Sequence, residues 1–206
     1  MERLQTDGLK VNAVNVGSTE GLAAAKRGEC DVAPIHLMDP GINKYNKPFL
    51  TPAMTLIRGY RRVQGIVFRP GDRRFEGLSA EAAVAAARGH SGCVMVNRNA
   101  GSGTRVLIDR LLAGDRPEGY RSQPNSHHGV AAAVSQGRAD WGLAIKAVAR
   151  QYRLAFIPVQ DEHYDFVVPK SRVHRPPVQR FRALLQEPSV RATLIKFNGG
   201  SAVPSA

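Results

Sequence analysis

The residues best suited to chemistry stand in Val96-Asn97-Arg98-Asn99-Ala100-Gly101-Ser102-Gly103-Thr104-Arg105. An apolar run ends at Val96, and a helical pattern with Val106, Leu107, Leu111 and Leu112 begins near Thr104. Gly101 and Gly103 let successive backbone N–H groups point at one spot. Ser102 and Thr104 can cap the helix and also donate hydroxyl hydrogen bonds. The open amides and the positive end of the helix dipole then favour an anion. Arg98 and Arg105 would add forked, charge-assisted contacts. The chemistry implied is capture of an oxyanion. The spacing is not that of a P-loop, because Gly-x-x-x-x-Gly-Lys-Ser/Thr is absent. Nor is it a dinucleotide fingerprint, since the third glycine is missing. Taken alone, the loop also reads as a tight strand-to-helix turn with a good cap.

A parallel lies in the first half, where an alternating run over 11–16 precedes Gly17-Ser18-Thr19-Glu20-Gly21 and an alanine-rich stretch. Ser18 and Thr19 are N-cap candidates, with Glu20 as a first-turn acid. Paired with the later loop, this helix start suggests two helix ends converging on one oxyanion at the carboxyl ends of strands. His36 and Asp39 follow a strand and are candidates for the cleft mouth; Asp39 equally suits a turn with Pro40 and Gly41. Tyr45 and Tyr164 can each donate one hydroxyl, packing at the core edge being the plainer role. The backbone at Ala144 is a further candidate contact. His127-His128 lacks a carboxylate or cysteine partner at metal-ligand spacing, so a loop or cap role is expected and no metal. No Ser/His/Asp arrangement, nucleophile elbow or paired carboxylates surround the glycine-rich loop, so no catalytic residues are expected.

The elements that must position these residues alternate. Short β-branched runs at 11–16, 31–35, 63–68, 93–96, 154–159 and 164–168 read as strands. Helical patterns fall at 19–27, 80–88, 104–112, 128–136, 145–152 and 177–186. Such alternation predicts an α/β protein with mostly parallel sheets flanked by helices. Trp141 is expected to pack between sheet and helix, and Cys30 and Cys93 to be small buried hydrophobes. The tail 199–206 is expected to fray. An internal repeat relates Gly21-Leu22-Ala23-Ala24-Ala25 and Gly28-Glu29-Cys30-Asp31 to Gly129-Val130-Ala131-Ala132-Ala133 and Gly137-Arg138-Ala139-Asp140. Each copy reads as a short helix, a left-handed glycine cap and an aspartate leading into an apolar segment.

Composition sets the outer bounds. The chain has 206 residues, with 29 basic against 17 acidic side chains and a formal charge of +12. That length suits one large domain or two lobes, each with a real core. The basic excess is 22 arginines and 7 lysines, densest at Arg58, Arg61, Arg62, Arg69, Arg73 and Arg74. It has no interleaved aromatics and no DNA- or RNA-binding motif, so nucleic acid is a minority reading. Two cysteines exclude a disulfide framework. No apolar run approaches membrane-spanning length, and the polar start lacks a signal-peptide pattern, so a cytoplasmic location is expected, or periplasmic if the start is truncated.

Gly17-Ser18-Thr19-Glu20-Gly21-Leu22, Ile35-His36-Leu37-Met38-Asp39-Pro40, Tyr45-Asn46, the Val96-Asn97-Arg98 and Gly101-Ser102-Gly103-Thr104-Arg105 loop, and Tyr164-Asp165 with Val168-Pro169 occur in that order. Together they resemble the periplasmic-binding-protein-like domain family related to molybdate-binding proteins. The resemblance implies a two-lobe type II solute-binding fold, with lobe 1 formed by 1–68 and 163–206 and lobe 2 by 69–162. Two crossovers would serve as the hinge on which ligand binding closes the lobes. It implies non-catalytic binding of a small oxyanion, molybdate or tungstate favoured, with no cofactor. Ser18, Thr19, Arg98, Gly101, Ser102, Gly103, Thr104, Arg105, Ala144 and Tyr164 would hold it, with His36, Asp39 and Tyr45 at the cleft. The alternative is a sensor for a small organic acid or phosphorylated metabolite, in transcription regulation or molybdenum-cofactor biosynthesis. Such domains occur alone or fused to DNA-binding or molybdopterin-biosynthesis modules, so those are the partners implied. The family's first strand and helix are missing before residue 11, which implies an exposed sheet edge and a homodimer across it.

Overall fold

A computed structural model describes residues 8–198 apart from 15, 40 and 43. The expected fraying of 199–206 lies outside the described residues.

Along the chain run α1 (Ser18–Arg27), β1 (Ala33–Ile35), a hairpin of β2 (Met38–Asp39) and β3 (Lys44–Tyr45), and the long strand β4 (Met54–Phe68). Then come α2 (Ala80–Gly89), β5 (Met95–Val96), α3 (Gly103–Leu112), α4 (His127–Ser135), β6 (Trp141–Ile145) and α5 (Lys146–Gln151). The second long strand, β7 (Ala155–Pro169), leads to α6 (Pro176–Gln186) and α7 (Pro188–Asn198). The main sheet has the order β1-β7-β4-β6-β5. The chain divides into two compact units, 1–61 with 163–206 and 62–162. Both divisions fall inside the 15-residue strands β4 and β7, which therefore belong to both units.

In the first unit β1 pairs antiparallel with the end of β7, Ala33 opposite Val167 and Ile35 opposite Asp165. Leu22 and Ala25 of α1 pack there on Ala33, Ile35, Met54 and Val167. Ile57, Val168, Val178 and Leu185 form a second cluster under α6. In the second unit β6 pairs antiparallel with β4, from Gln64 opposite Ile145 to Phe68 opposite Trp141, and parallel with β5. Its core gathers Trp141, Phe75, Met95, Ile108 and Leu112 on one side, and Val67, Val96, Val130 and Val134 on the other. Gly65 permits the close approach of β4 to β7. A Cβ there would stand 2.3 Å from the Ile157 carbonyl oxygen, and at Gly59 2.1 Å from that of Tyr164.

The alternation of helices and strands holds, but the expectation of mostly parallel sheets does not. The β5–β6 pair, joined through helices, is parallel, whereas β1–β7 and β4–β6 are antiparallel. The crossover rule governs strands joined by a helix. The directions of β4 and β7 are fixed instead by carrying the chain from one unit to the other. The expected strands 154–159 and 164–168 are one strand, β7. The expected strand 11–16 is not formed among its described residues, and Val14 and Val16 are exposed. An alternating pattern makes a strand only where a neighbour takes its amide hydrogen bonds, and among the described residues no strand precedes β1 in the sheet. Two elements lie beyond the expectations, the β2–β3 hairpin and α7.

The repeat is structural. Gly28 and Gly137 both take the left-handed conformation, at φ 72° and 73°. In each copy the following N–H reaches back five residues, Glu29 to Ala24 O at 2.9 Å and Arg138 to Ala133 O at 2.9 Å, the Schellman geometry. The two aspartates each hold two arginines: Asp31 takes Arg172 and Arg175, and Asp140 takes Arg69 and Arg74.

Candidate functional site

Asn97 organises the start of the loop in the second unit. Its N–H donates to Ser122 O at 2.8 Å and its side-chain amide to Tyr120 O, while its Oδ1 accepts the Arg98 N–H. The loop therefore leaves β5 in one fixed direction. Gly101 then takes φ 79°, and Ser102 caps α3 by accepting the Arg105 N–H at 3.1 Å. The N–H groups of Gly103 and Thr104 open the helix and have no acceptor within it. Thr104 is 0% exposed, and its hydroxyl makes no hydrogen bond.

Arg98 lies beside this helix start, 9% exposed. One terminal nitrogen donates to Asn99 Oδ1 and Asn125 O, but Nε, also buried, has no partner. Burial first and then Arg62, with Glu162 opposing them, push the guanidinium down to about 10. Glu162 is 1% exposed, and its two oxygens accept from Arg62 Nε and Gln64 Nε2. An unpaired buried donor costs about 1–3 kcal/mol, and a bound ion is one of the things that can complete its bonding.

Arg105 has a different position. Its Nε pairs with Asp109 at 2.8 and 2.9 Å, one terminal nitrogen donates to Tyr120 Oη at 2.6 Å, and the other to Arg98 O at 3.2 Å. Its guanidinium also stacks 4.5 Å from the Tyr120 ring centre. Every arm of Arg105 holds the loop. Ala144 sits in mid-β6 opposite Gly65, fully buried among apolar side chains.

In the first unit the cap of α1 is Gly17, not Ser18 or Thr19 as expected. The helix begins one residue earlier, so Ser18 lies inside it, buried, and its hydroxyl accepts the His36 N–H at 3.3 Å. Thr19 is exposed. The His36 ring stacks on Tyr164 at 5.4 Å, and Tyr60 stacks on Tyr164 at 5.1 Å. Tyr45 stacks on His163 at 4.9 Å. Asp39 accepts the Gly41 N–H at 2.9 Å, the turn its sequence also allowed. The unit thus brings Ser18, His36 and Tyr164 together, with Asp39 in the hairpin turn.

Sequence reasoning did not single out Arg62, Gln64 and Glu162 as a cluster, nor Asn46 with Asp165. Buried Asn46 at φ 58° accepts the Leu37 N–H and donates to Asp165 at 2.7 Å, and Asp165 also accepts the Gly59 N–H. One signal was present. Arg62 and Gln64 stand two apart in a strand and so share a face, polar residues where the neighbouring strand pattern is apolar.

Among the described residues no group of three or more His, Cys, Asp or Glu could hold a metal. Nor, among the described residues, is any helix long and apolar enough to cross a membrane. Arg69 and Arg74 of the basic cluster are held by Asp140.

A family model described as the PBP superfamily domain matches residues 1–186. The Bacillus subtilis (strain 168) protein YvgK, itself uncharacterized, is 30% identical over 194 residues, 89% of this chain. This chain spans 60% of the length of that relative. An ABC-type phosphate transport receptor from Vibrio cholerae superposes with a TM-score of 0.66 at 16% identity, covering 98% of this chain and 92% of its own. The tungstate ABC transporter structure from Geobacter sulfurreducens gives 0.62 at 14%, covering 96% and 88%. The tungstate binding protein TupA from Desulfovibrio alaskensis G20 gives 0.61 at 15%, covering 98% and 89%. What these structures share with the chain is the two-lobe type II periplasmic-binding-protein fold.

Proposed function

Because this chain belongs to the PBP superfamily, we propose that it binds a small oxyanion without turning it over, molybdate or tungstate first among them. One observation carries the reading. The Thr104 hydroxyl, in the first turn of α3 with its open amides, and Nε of the buried Arg98 guanidinium are buried donors without partners. An anion bonded there would satisfy both donors and the charge together. Ser102, Gly103 and Thr104 are the proposed direct contacts with Arg98, and Gly101 shapes the turn. Arg105 is assigned to hold the loop.

The groups concerned are amides, hydroxyls and guanidinium. They stabilise an anion and activate no nucleophile, which supports binding without catalysis. Solved structures of the same fold named for phosphate and tungstate lend the ligand class. A small organic acid is the second reading, because the stacked His36, Tyr164 and Tyr60 rings would suit a carbon skeleton.

Calorimetric titration with tungstate, molybdate, sulfate, phosphate and a set of small carboxylates separates the two. Saturable heat with tungstate or molybdate at a 1:1 ratio is expected, with affinity about tenfold weaker in Thr104→Val. Heat with a carboxylate alone would move the assignment to the second reading, and no heat with any would overturn both.

A further inference from the structure

A second helix begins beside the oxyanion loop, within the same unit. Residues 95–99 and 118–124 run side by side in one direction. The N–H groups of Met95, Asn97 and Asn99 donate to Glu118 O, Ser122 O and Pro124 O at 2.8, 2.8 and 3.3 Å. The first segment leads to Ser102 and α3, the second to Ser126 and α4. Ser126 caps α4 by accepting the Gly129 N–H at 3.0 Å, so neither histidine that follows is needed as the cap. Arg98 spans the two starts, because a terminal nitrogen donates at 3.2 Å to Asn125 O, the residue just before that cap. A guanidinium nine-tenths buried, with Nε unpartnered, thus stands at the start of α4 as well as that of α3.

The two histidines there have different surroundings. His128 packs its ring on Tyr152, with 5.9 Å between ring centres. His127 heads the inward stripe of α4, His127-Val130-Ala131-Val134, whose last three members are buried. Val130 meets Val96, the last residue of β5: a Cβ added at Gly142 would lie 2.9 Å from a methyl of each. One turn closer to the start of α4 stands His127, and two residues past Val96 stands Arg98. His127 is half-buried, with its Nδ1 buried. Helical side chains lean toward the N-terminus, which carries this imidazole toward the end of α4 where Arg98 is bonded.

Resting on the oxyanion reading above, we propose that His127 is a further ligand-binding residue, whose ring N–H donates to the anion held by Arg98 and Thr104. An imidazole keeps at least one N–H donor whether neutral or protonated, so it adds a hydrogen bond and never opposes the ligand's charge. A polar ring at the head of an apolar stripe then has a use that an aliphatic side chain would not serve.

Calorimetry with tungstate on two substitutions separates a contact from packing. Leucine extends the apolar stripe but has no donor, whereas glutamine keeps an N–H donor and suits an apolar face less well. His127→Leu is expected to weaken tungstate about tenfold and His127→Gln about threefold at most. His128→Leu, off the stripe, should stay within about twofold of wild type. Wild-type affinity kept in His127→Leu, or His127→Leu binding at least as tightly as His127→Gln, overturns the inference alone, because packing would give that order. Should His127→Leu not fold, ring-nitrogen NMR of the wild-type protein decides. Saturating tungstate is expected to shift the His127 ring signals more than those of His128, and equal or smaller shifts overturn the inference. A wild-type protein that takes up no tungstate overturns it together with the oxyanion reading.

Discussion

Arg105 holds Arg98 by its backbone, one terminal nitrogen donating to the Arg98 carbonyl oxygen at 3.2 Å. The other contacts of Arg105, to Asp109 and Tyr120, anchor that bond to α3 and to the segment after it. The arginine that looked like a ligand contact by its place in the loop therefore sets where its neighbour stands. Arg105→Lys keeps the charge but loses the fork and the stacking on Tyr120. It should lower stability by about 1–2 kcal/mol, measured by thermal or urea unfolding, and weaken oxyanion binding as Arg98 loses its fixed position.

Thr104→Val separates stability from binding. The hydroxyl is buried without a partner, so replacing it with a methyl removes a desolvation cost and should change stability by less than about 1 kcal/mol, or raise it. Tungstate affinity should fall about tenfold, the worth of one charge-assisted hydrogen bond. Paired unfolding curves and titrations on the same preparation check both.

Binding should be alkali-sensitive in a particular window. Burial and the nearby Arg62 push Arg98 down to about 10. The anion needs the charged guanidinium, so affinity should stay level between about pH 7 and 9 and decline as pH rises through about 10. Titrations with tungstate, which carries the same charge across this range, give the profile.

Acid should act through Asp140. Burial alone would raise its carboxyl, but the Val94 N–H and the Arg74 and Arg69 guanidiniums outweigh burial and hold it below its ordinary value of 3.8. A carboxylate depressed on folding contributes stability that is full above its unfolded value and lost as pH falls through the folded one. The midpoint of unfolding should thus drop below about pH 4, and Asp140→Asn should flatten that dependence while costing about 1–3 kcal/mol at neutral pH.

Gly65→Ala should unfold the second unit. The new methyl would sit 2.3 Å from the Ile157 carbonyl oxygen and 2.4 Å from the Phe156 ring, and a strand backbone on both sides cannot yield. A loss above about 3 kcal/mol is expected by denaturant unfolding.

Local patterns were legible in the sequence where local physics decides them. The alanine-rich helices, the glycine caps of the repeat and the turn from Val96 to Thr104 depend on residues a few positions apart. The α/β class followed from them. Strand direction was not legible, because β4 and β7 are oriented by the passage between units, which periodicity does not record. The run at 11–16 has the pattern of a strand, but its described residues form none, because a strand depends on pairing as well as on pattern. Ser18 was misplaced by one position, enough to move it from cap to helix interior. In the site, the loop residues were visible as a motif. The Arg62, Gln64 and Glu162 cluster was not, since Glu162 meets its partners across about a hundred residues of chain.

The central claim is that an oxyanion completes the bonding of Thr104 and Arg98. A crystal grown with tungstate, measured at the tungsten absorption edge, tests it most directly. The account predicts one strong anomalous peak whose oxygens lie within hydrogen-bonding distance of Thr104 Oγ1, Arg98 Nε and the first amides of α3. A fully occupied tungstate elsewhere, with those donors still unbonded, would contradict it.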